Sequence, residues 1–292
     1  MPTLSSHQSN TTVKLLLIGD SSAGKTGALA SLAMAGLKLR ILDFDNGLDI
    51  LKNYLTDPAS PYYKANPQAA NEVRFVTLVD PTKNLNGQLV HAKAEAWPKA
   101  MNLLAKWKDQ DEDLGPLTSW GEDCVLVIDS LTMLTKAALN YHLFLNSALQ
   151  VKRTQNEGRR DVGAAQNMIR DLLSMLYDPG VKCNVVVTSH ITMVSDAGGA
   201  PKVEEGKFDS IPTGYPSAIG RALSPHIPRW FNSMLVIRTV GAGPGAKHKI
   251  FTSSQNLGSQ IVAAKTSAPL RVKPEYGIEN GLAEYFRDVK GI

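Results

Sequence analysis

The sequence predicts an α/β protein in which a mostly parallel sheet carries helices on both faces. Short apolar runs rich in branched residues alternate with stretches of helical spacing. Continuous apolar strands of this kind are typical of parallel sheets that are buried on both faces. Near the C-terminus, residues 235–254 read as a strand, a glycine-rich turn and a second strand, which predicts an antiparallel C-terminal extension of the sheet.

Six segments have the composition of strands, and four segments between them have helical spacing. The predicted strands are 13–19, 37–44, 72–79, 124–130, 183–189 and 233–240. The predicted helices are 25–36, 91–109, 131–150 and 163–179. Gly36 is a natural C-cap for the first helix, and Pro179 stops the last one. Strands that alternate with helices in this way predict βαβ units.

The chain of 292 residues is long enough for one large α/β domain or two small ones. No convincing boundary divides it, so we expect a flexible tail over 1–12 and a single domain over 13–292. A stretch rich in Gly, Pro and Ser, from about 195 to 230, predicts a long loop. Loops of this length inside a compact domain are usually functional or mobile.

The composition predicts a cytoplasmic protein that does not cross a membrane. No window approaches ~18 consecutive apolar residues, the length of a membrane span. Cys124 and Cys183 form no metal-binding or disulfide pattern, which favours two small buried residues in a reducing compartment. The net charge of +4 permits contact with nucleic acid but does not demand it.

A phosphate-binding loop is predicted where the first strand ends. Residues 19–26 read GDSSAGKT, which fits the pattern G-x-x-x-x-G-K-T between a predicted strand and a predicted helix. The glycines let backbone N–H groups turn toward phosphate oxygens, and the helix adds its positive end. The expected nucleotide contacts are Gly19, Asp20, Ser21, Ser22, Ala23, Gly24, Lys25, Thr26 and Gly27. In this pattern the lysine contacts the β- and γ-phosphates and the threonine is a ligand of Mg²⁺.

A second carboxylate is expected to assist the metal ion. Asp129 ends the apolar strand CVLVID, where it fits an aspartate that holds the hydration shell of Mg²⁺; the alternative is a simple helix cap. The next residue is Ser130, whereas many P-loop ATPases carry a glutamate base there. Asp43 and Asp45 offer a base at the end of another strand, where alternation predicts that both project to the same side.

Together these motifs resemble the RecA-like ATPases, in particular the compact RecA-like P-loop proteins of bacteriophages, some of which act in recombination and single-strand annealing. The resemblance covers roughly residues 13–275. The segment DFDNGLD (43–49) matches the frame of the family stretch D-A-E-H-A-L-D. The catalytic glutamate of the family falls on Asp45, with Asp43 as the second choice. Because aspartate is one methylene shorter, hydrolysis is expected to be slow or to use a different water position.

The resemblance also implies residues that sense the γ-phosphate. His190, at the end of VVVTSH, occupies the place of the polar sensor, although a histidine can also merely cap a strand end. The family carries a Lys or Arg that reaches the nucleotide of a neighbouring subunit in a ring or filament. Lys265 is the best match and Lys249 the alternative, and either can instead be a solvated lysine. This reading implies a homo-oligomer.

RecA-like proteins bind DNA through two loops, and both have candidates here. The first is 150–163, with Lys152, Arg153, Arg159 and Arg160, although a solvated helix end explains these charges equally well. The second is the long loop, which carries Lys202 and Lys207. Aromatic residues in and just after that loop could stack on bases: Phe208, Tyr215, Trp230 and Phe231.

Three functions follow from these observations. The first is an Mg-dependent ATPase that binds DNA, with single-stranded DNA as the expected partner, in phage recombination or annealing. The second is a P-loop switch or assembly factor that acts on a protein without nucleic acid, which the Asp-for-Glu change and the modest charge favour. The third, a small-molecule kinase, is weakened because no lid with clustered arginines is evident, though Arg159 and Arg160 could serve.

Overall fold

The computed structural model describes residues 12–91, 93–108, 112–148, 157–194, 212–220, 222–257 and 260–292. Within these residues the strands are β1 (Lys14–Ile18), β2 (Lys38–Asp43), β3 (Val73–Thr77), β4 (Thr82–Leu85), β5 (Gln88–His91), β6 (Trp107–Lys108), β7 (Asp113–Gly115), β8 (Cys124–Asp129), β9 (Asn184–Ser189), β10 (Ile191–Val194), β11 (Thr213–Pro216), β12 (Ser233–Val240), β13 (Lys247–Phe251), β14 (Gln255–Asn256), β15 (Ile261–Val262) and β16 (Glu275–Gly277). The helices there are α1 (Lys25–Ala28), α2 (Ala30–Met34), α3 (Asp49–Thr56), α4 (Pro61–Ala65), α5 (Ala96–Ala105), α6 (Leu131–Ala148), α7 (Glu157–Leu176) and α8 (Gly281–Lys290).

The main sheet confirms the predicted fold class. Its strand order is β16-β13-β12-β1-β9-β8-β2-β3. The strands from β12 to β3 are parallel, and they are the six that the sequence predicts. β13 and β16 are antiparallel to their neighbours, as expected for the C-terminal extension. All parallel strands therefore end at one edge of the sheet, which we call the carboxyl edge.

Two hydrophobic cores lie on opposite faces of this sheet, because successive strand residues point to opposite sides. In β1, Leu16 and Ile18 join the core that α5, α6 and α7 cover. Leu15 and Leu17 join the core that α1 to α4 and α8 cover. All four of these leucine and isoleucine side chains are fully buried. The apolar runs of the sequence are continuous because each strand supplies both cores.

The structure differs from the predicted elements in four places. The helix predicted over 91–109 is shorter, because α5 spans Ala96–Ala105 while His91 ends β5 and Trp107–Lys108 form β6. The first helix is broken at Leu29 into α1 and α2. Helix α7 begins at Glu157, inside the predicted basic loop, because buried Asp161 accepts a hydrogen bond from Asn146 and so ties the first turns of α7 to α6. The predicted long loop contains β11, which pairs with β10, and a 3₁₀ helix over Ser224–Trp230. The predicted tail lies almost wholly outside the described residues.

No helix in the described part of the chain has the length and apolar character needed to cross a bilayer. Two glycines, Gly36 and Gly163, are well suited to testing the backbone of this fold.

Gly36→Ala is expected to destabilise the protein, whereas Gly163→Ala is expected to stabilise it. A Cβ at either position would meet no atom within 4 Å, so the two sites differ in backbone conformation and not in space. Gly36 has φ +81°, where an L-residue costs about 1–2 kcal/mol. Gly163 lies inside α7, where alanine gains about 0.5–1 kcal/mol. Urea unfolding of both variants measures these changes, and a loss of stability in Gly163→Ala would contradict the helix assignment.

Candidate active site

The phosphate-binding loop joins β1 to α1 at the carboxyl edge of the sheet. It begins at Gly19, whose N–H donates to Ser189 O at 3.1 Å, so the loop is fixed to the neighbouring strand. A Cβ on Gly19 would lie 2.6 Å from both the side chain and the carbonyl oxygen of Ile237, so no larger residue fits. Ser22 and Gly24 have φ values of +62° and +97°, and these turns curl the backbone into a cradle.

Lys25 lies at the base of this cradle and is buried, with 7% of its surface exposed. Its Nζ donates to the carbonyl oxygens of Gly19 and Asp20 at 2.9 and 2.8 Å. Burial lowers the pKa of Lys25, and the nearby Asp129 carboxylate opposes that shift. The loop thus positions a lysine where the pattern expects the phosphate-binding cation.

Asp129 is held by hydroxyl groups on both of its oxygens. Thr26 Oγ1 donates to Oδ2 at 2.7 Å, and Thr188 Oγ1 donates to Oδ1. Burial raises the pKa of Asp129, and these two hydrogen bonds oppose the shift. Mg²⁺ prefers oxygen ligands and is usually held by one or two carboxylates together with phosphates and water. The adjacent Thr26 hydroxyl and Asp129 carboxylate fit that ion.

Asp45 faces the same cavity from the segment that follows β2. Its Oδ1 accepts a hydrogen bond from Ser130 Oγ at 2.8 Å, and its Oδ2 lies 3.9 Å from His190 Nε2. The N–H groups of Phe44 and Asp45 both point at Asp129 O, at 2.6 and 3.2 Å, which anchors this segment to the end of β8. The peptide bond between Asp129 and Ser130 is cis.

His190 completes the group around Lys25. Its Nδ1 lies 3.4 Å from Lys25 Nζ, and its Nε2 faces Asp45. Burial lowers the pKa of His190, and the Lys25 charge lowers it further. Both effects favour the neutral imidazole, although the Asp45 carboxylate opposes them, and a neutral imidazole has one nitrogen that donates and one that accepts a hydrogen bond. The structure brings His190, Lys25 and Asp45 together.

Asp43 does not share this cavity, contrary to the expectation that both aspartates project to the same side. Strand β2 ends at Asp43, and the chain bends there, so the alternation does not extend to Asp45. The Asp43 carboxyl accepts hydrogen bonds from Gly47 N and Thr77 Oγ1, and it lines a separate cavity between α3 and β3. Burial raises the pKa of Asp43.

The cavity at the phosphate loop has a volume of about 430 Å³. Three of its lining residues were not predicted from the sequence: Ile50 and Tyr54 of α3, and His248 of β13. Its lining residues are Ser21, Ser22, Gly24, Lys25, Thr26, Gly27, Ile50, Tyr54, Asp45, Asp129, His190 and His248. Thr188, which holds Asp129, was not predicted either. It is the threonine of VVVTSH, and a hydroxyl near the end of a predicted strand is the sequence signal that could have indicated it.

The two candidate lysines lie away from this cavity. The backbone of Lys265 is paired with Met234, the second residue of β12, so Lys265 lies toward the amino end of the sheet, opposite the phosphate loop. Its side chain is exposed. Lys249 lies on β13 and forms an ion pair with Glu275. Neither lysine lines the cavity of its own chain.

The candidate nucleic-acid residues are described only in part. Arg159 and Arg160 are exposed and lie in the first turn of α7. Because α7 ends before β9 begins, this end of the helix lies on the side of the carboxyl edge. Lys152, Arg153, Lys202 and Lys207 lie outside the described residues, as does Phe208.

A family model, AAA_24, described as an AAA domain, matches residues 11–255. A search of curated proteins finds no significant match.

Three solved structures are similar to this chain at low identity. The flagellar accessory protein FlaH from Methanocaldococcus jannaschii is 10% identical, with 90% of this chain and 83% of that one covered and a TM-score of 0.39. A KaiC-like protein from Pyrococcus horikoshii is 13% identical, with 86% and 89% covered and a TM-score of 0.36. The RadB recombinase is 11% identical, with 86% and 90% covered and a TM-score of 0.39.

Proposed function

Because the chain belongs to the AAA domain family, whose model matches most of its length, we propose that it binds ATP with Mg²⁺ and hydrolyses it. One observation carries this proposal. Lys25, Thr26, Asp129, Asp45 and His190 come from four separate segments and meet around one cavity at the carboxyl edge of the sheet. This edge is where open α/β sheets bind their ligands.

Each side chain has a role that its geometry supports. Lys25 neutralises the phosphate charge, and the loop N–H groups hold the phosphate oxygens. When bound, Mg²⁺ would neutralise the developing charge, with Thr26 and Asp129 as its protein contacts. Asp45 orients the attacking water and accepts its proton, since the residue lines the cavity and its Oδ2 takes no part in the Ser130 bond. His190 senses the γ-phosphate beside Lys25.

We further propose that single-stranded DNA is the partner whose binding this cycle controls. Two exposed arginines stand at the positive end of α7, where the helix dipole reinforces their attraction for phosphate. His190 leads directly into β10, and Ser217, just after β11, donates its N–H to His190 O at 2.7 Å. The segment between β10 and β11 carries Lys202 and Lys207. A nucleotide-dependent shift of His190 would therefore reach this basic segment directly.

A homo-oligomer, as a ring or filament, belongs to the same proposal. Lys265 is exposed and lies toward the amino end of the sheet, whereas its own phosphate loop lies at the carboxyl edge. It could therefore contact the nucleotide of a neighbouring copy and not its own. Recombination or annealing in a bacteriophage is the setting that the sequence resemblance favours.

The ATPase rate is expected to rise when single-stranded DNA is added, and DNA binding with ATP is expected to weaken as salt increases. The logarithm of the DNA-binding constant falls linearly with the logarithm of the salt concentration, and each phosphate contact that is lost makes this slope smaller by about 1. Arg159→Ala with Arg160→Ala should reduce both the slope and the stimulation, while Arg170→Ala, later on the same helix, serves as the control. Measurement of the mass in solution tests the oligomer at the same time.

A rate that DNA does not change, together with no salt-sensitive DNA binding, would contradict the DNA proposal. The second candidate function, a nucleotide switch acting on a protein partner, would then be preferred. The side chain of Asp45 favours this switch function independently. It is shorter than the glutamate that the RecA-like resemblance leads us to expect, and one of its oxygens is hydrogen-bonded to Ser130. Both features suit slow turnover.

A further inference from the structure

We propose that a cavity at the amino end of the main sheet binds a small oxyanion, a carboxylate or phosphate group, through the side chain of Arg40. The cavity has a volume of about 260 Å³, and Lys38 and Arg40 of β2 line it together with Cys124, the first residue of β8. These strands begin at the cavity and end at the carboxyl edge, where the nucleotide cavity lies. The two sites are therefore separate.

Arg40 is a buried cation without an acidic partner among the described residues. Only 8% of its surface is exposed. Its hydrogen bonds to described residues both run from Nη1, to the carbonyl oxygens of Leu39 and Glu72 at 3.0 Å, and none of the described carboxylates forms an ion pair with it. Nε and Nη2 bond to no described residue, and neither is enclosed out of reach of solvent. These two nitrogens can therefore donate to a ligand.

Two carboxylates near Arg40 are each committed to another cation. Arg74, directly opposite Arg40 on β3, donates twice to Glu112, at 2.7 and 2.9 Å. Asp123, which lines the cavity, is paired with Lys38 at 2.9 Å. Burial lowers the pKa of Arg40, because its surroundings disfavour the charged form. A buried charge normally has a partner of opposite sign, and a bound anion would supply one here.

The size and lining of the cavity indicate the class of ligand. The fork of an arginine side chain matches the paired oxygens of a carboxylate or a phosphate. Lys38 lies two residues before Arg40 on β2, so both cations project to the same side of the sheet. The indole N–H of Trp120 is bonded to Leu114 O, so this lining residue adds no donor of its own. Pockets for drug-sized ligands have about 300–1,000 Å³, and this smaller cavity suits a compact anion.

Cys124 makes occupation of the cavity measurable. It lines the cavity and is partly exposed, whereas Cys183, the other cysteine of the chain, is fully buried. Alkylation by uncharged iodoacetamide, followed by mass spectrometry, reads the two thiols separately. Phosphate or acetate is expected to slow alkylation of Cys124, by about tenfold at about nine times its Kd, because the free fraction falls as 1 + [L]/Kd. Chloride at the same ionic strength should give no protection.

Arg40→Gln is expected to abolish this protection, and Arg40→Lys, which keeps a cation, should retain part of it. Lys38→Gln replaces a side chain that is 45% exposed, so it tests the site without disturbing the core, and it should weaken protection because Asp123 is left unpaired at the cavity. The matched control is Arg287→Gln, an exposed position on α8, which should behave as the wild type. Alkylation of Cys183 identifies any variant that has unfolded.

Protection by phosphate alone would assign a phosphate ligand, protection by acetate alone a carboxylate ligand, and protection by both an oxyanion site of either kind. The proposed site is overturned if neither anion protects the wild-type protein, or if chloride protects it equally. Wild-type protection in folded Arg40→Gln and Lys38→Gln overturns it as well. Because the phosphate loop lies at the other end of the strands, ATP binding measured on the same preparations is a separate result, and the proposed function can stand or fail without this site.

Discussion

Lys25→Ala is expected to abolish detectable ATP hydrolysis and to weaken ATP binding strongly. Lys25 is the cation at the base of the loop cradle, and its ammonium group lies among carbonyl oxygens that cannot neutralise phosphate charge. Loss of one such preorganised donor costs about 10²–10³ in kcat. Nucleotide titration and a phosphate-release assay measure the two effects.

The control for this substitution is Lys99→Ala, which removes an exposed lysine on α5 and should leave both quantities unchanged. Thermal unfolding should show that the Lys25 variant remains folded. Wild-type ATP affinity in a folded Lys25→Ala protein would overturn the assignment of the phosphate site itself.

Asp45→Asn is expected to leave ATP binding intact and to reduce turnover by about 10²–10⁴-fold, the contribution of a positioned general base. Asparagine keeps the size of the side chain and can still accept the hydrogen bond from Ser130. It cannot take a proton from water. ATP affinity and single-turnover hydrolysis, measured on the same preparation, separate binding from chemistry.

Asp43→Asn is the matched comparison, since it makes the same chemical change two residues away. The amide oxygen can still accept from Gly47 N, and the amide nitrogen can donate to Thr77 Oγ1, since a hydroxyl can accept as well as donate. The Asp43 side chain lines the other cavity. Turnover should therefore change little. If Asp43→Asn stops hydrolysis while Asp45→Asn does not, Asp43 is the base and the proposed role of Asp45 is wrong.

The sheet could be predicted from the sequence because each parallel strand supplies both cores and so leaves a continuous apolar run. The phosphate loop was equally visible, since its pattern stands between a strand and a helix. Both signals are local, with all informative residues within one short segment. The antiparallel hairpin of β12 and β13 was predicted for the same reason.

The other residues of the site are far apart in the sequence and are brought together by the fold, so no local sequence pattern predicts their arrangement. Alternation predicted one side for Asp43 and Asp45, but it holds only while the strand continues, and β2 stops at Asp43. His248 is brought to Gly24 by the order of strands in the sheet and not by any neighbouring residue. Similarly, the basic segment around Arg159 reads as a loop by composition, whereas the contact of Asp161 with α6 makes it helical.

The C-terminal elements limit how far this chain can be shortened and still fold. The family model ends at residue 255, yet α8 lies beyond it and packs on α2, with Ala283 N donating to Ser31 Oγ. Fully buried Tyr285 donates to Ser233 Oγ at 2.6 Å, at the start of β12. Removing everything after 255 would take away α8, one of the helices that cover this face of the sheet, together with the buried side chains it supplies. The smallest unit that folds on its own is therefore larger than the region that the family model matches.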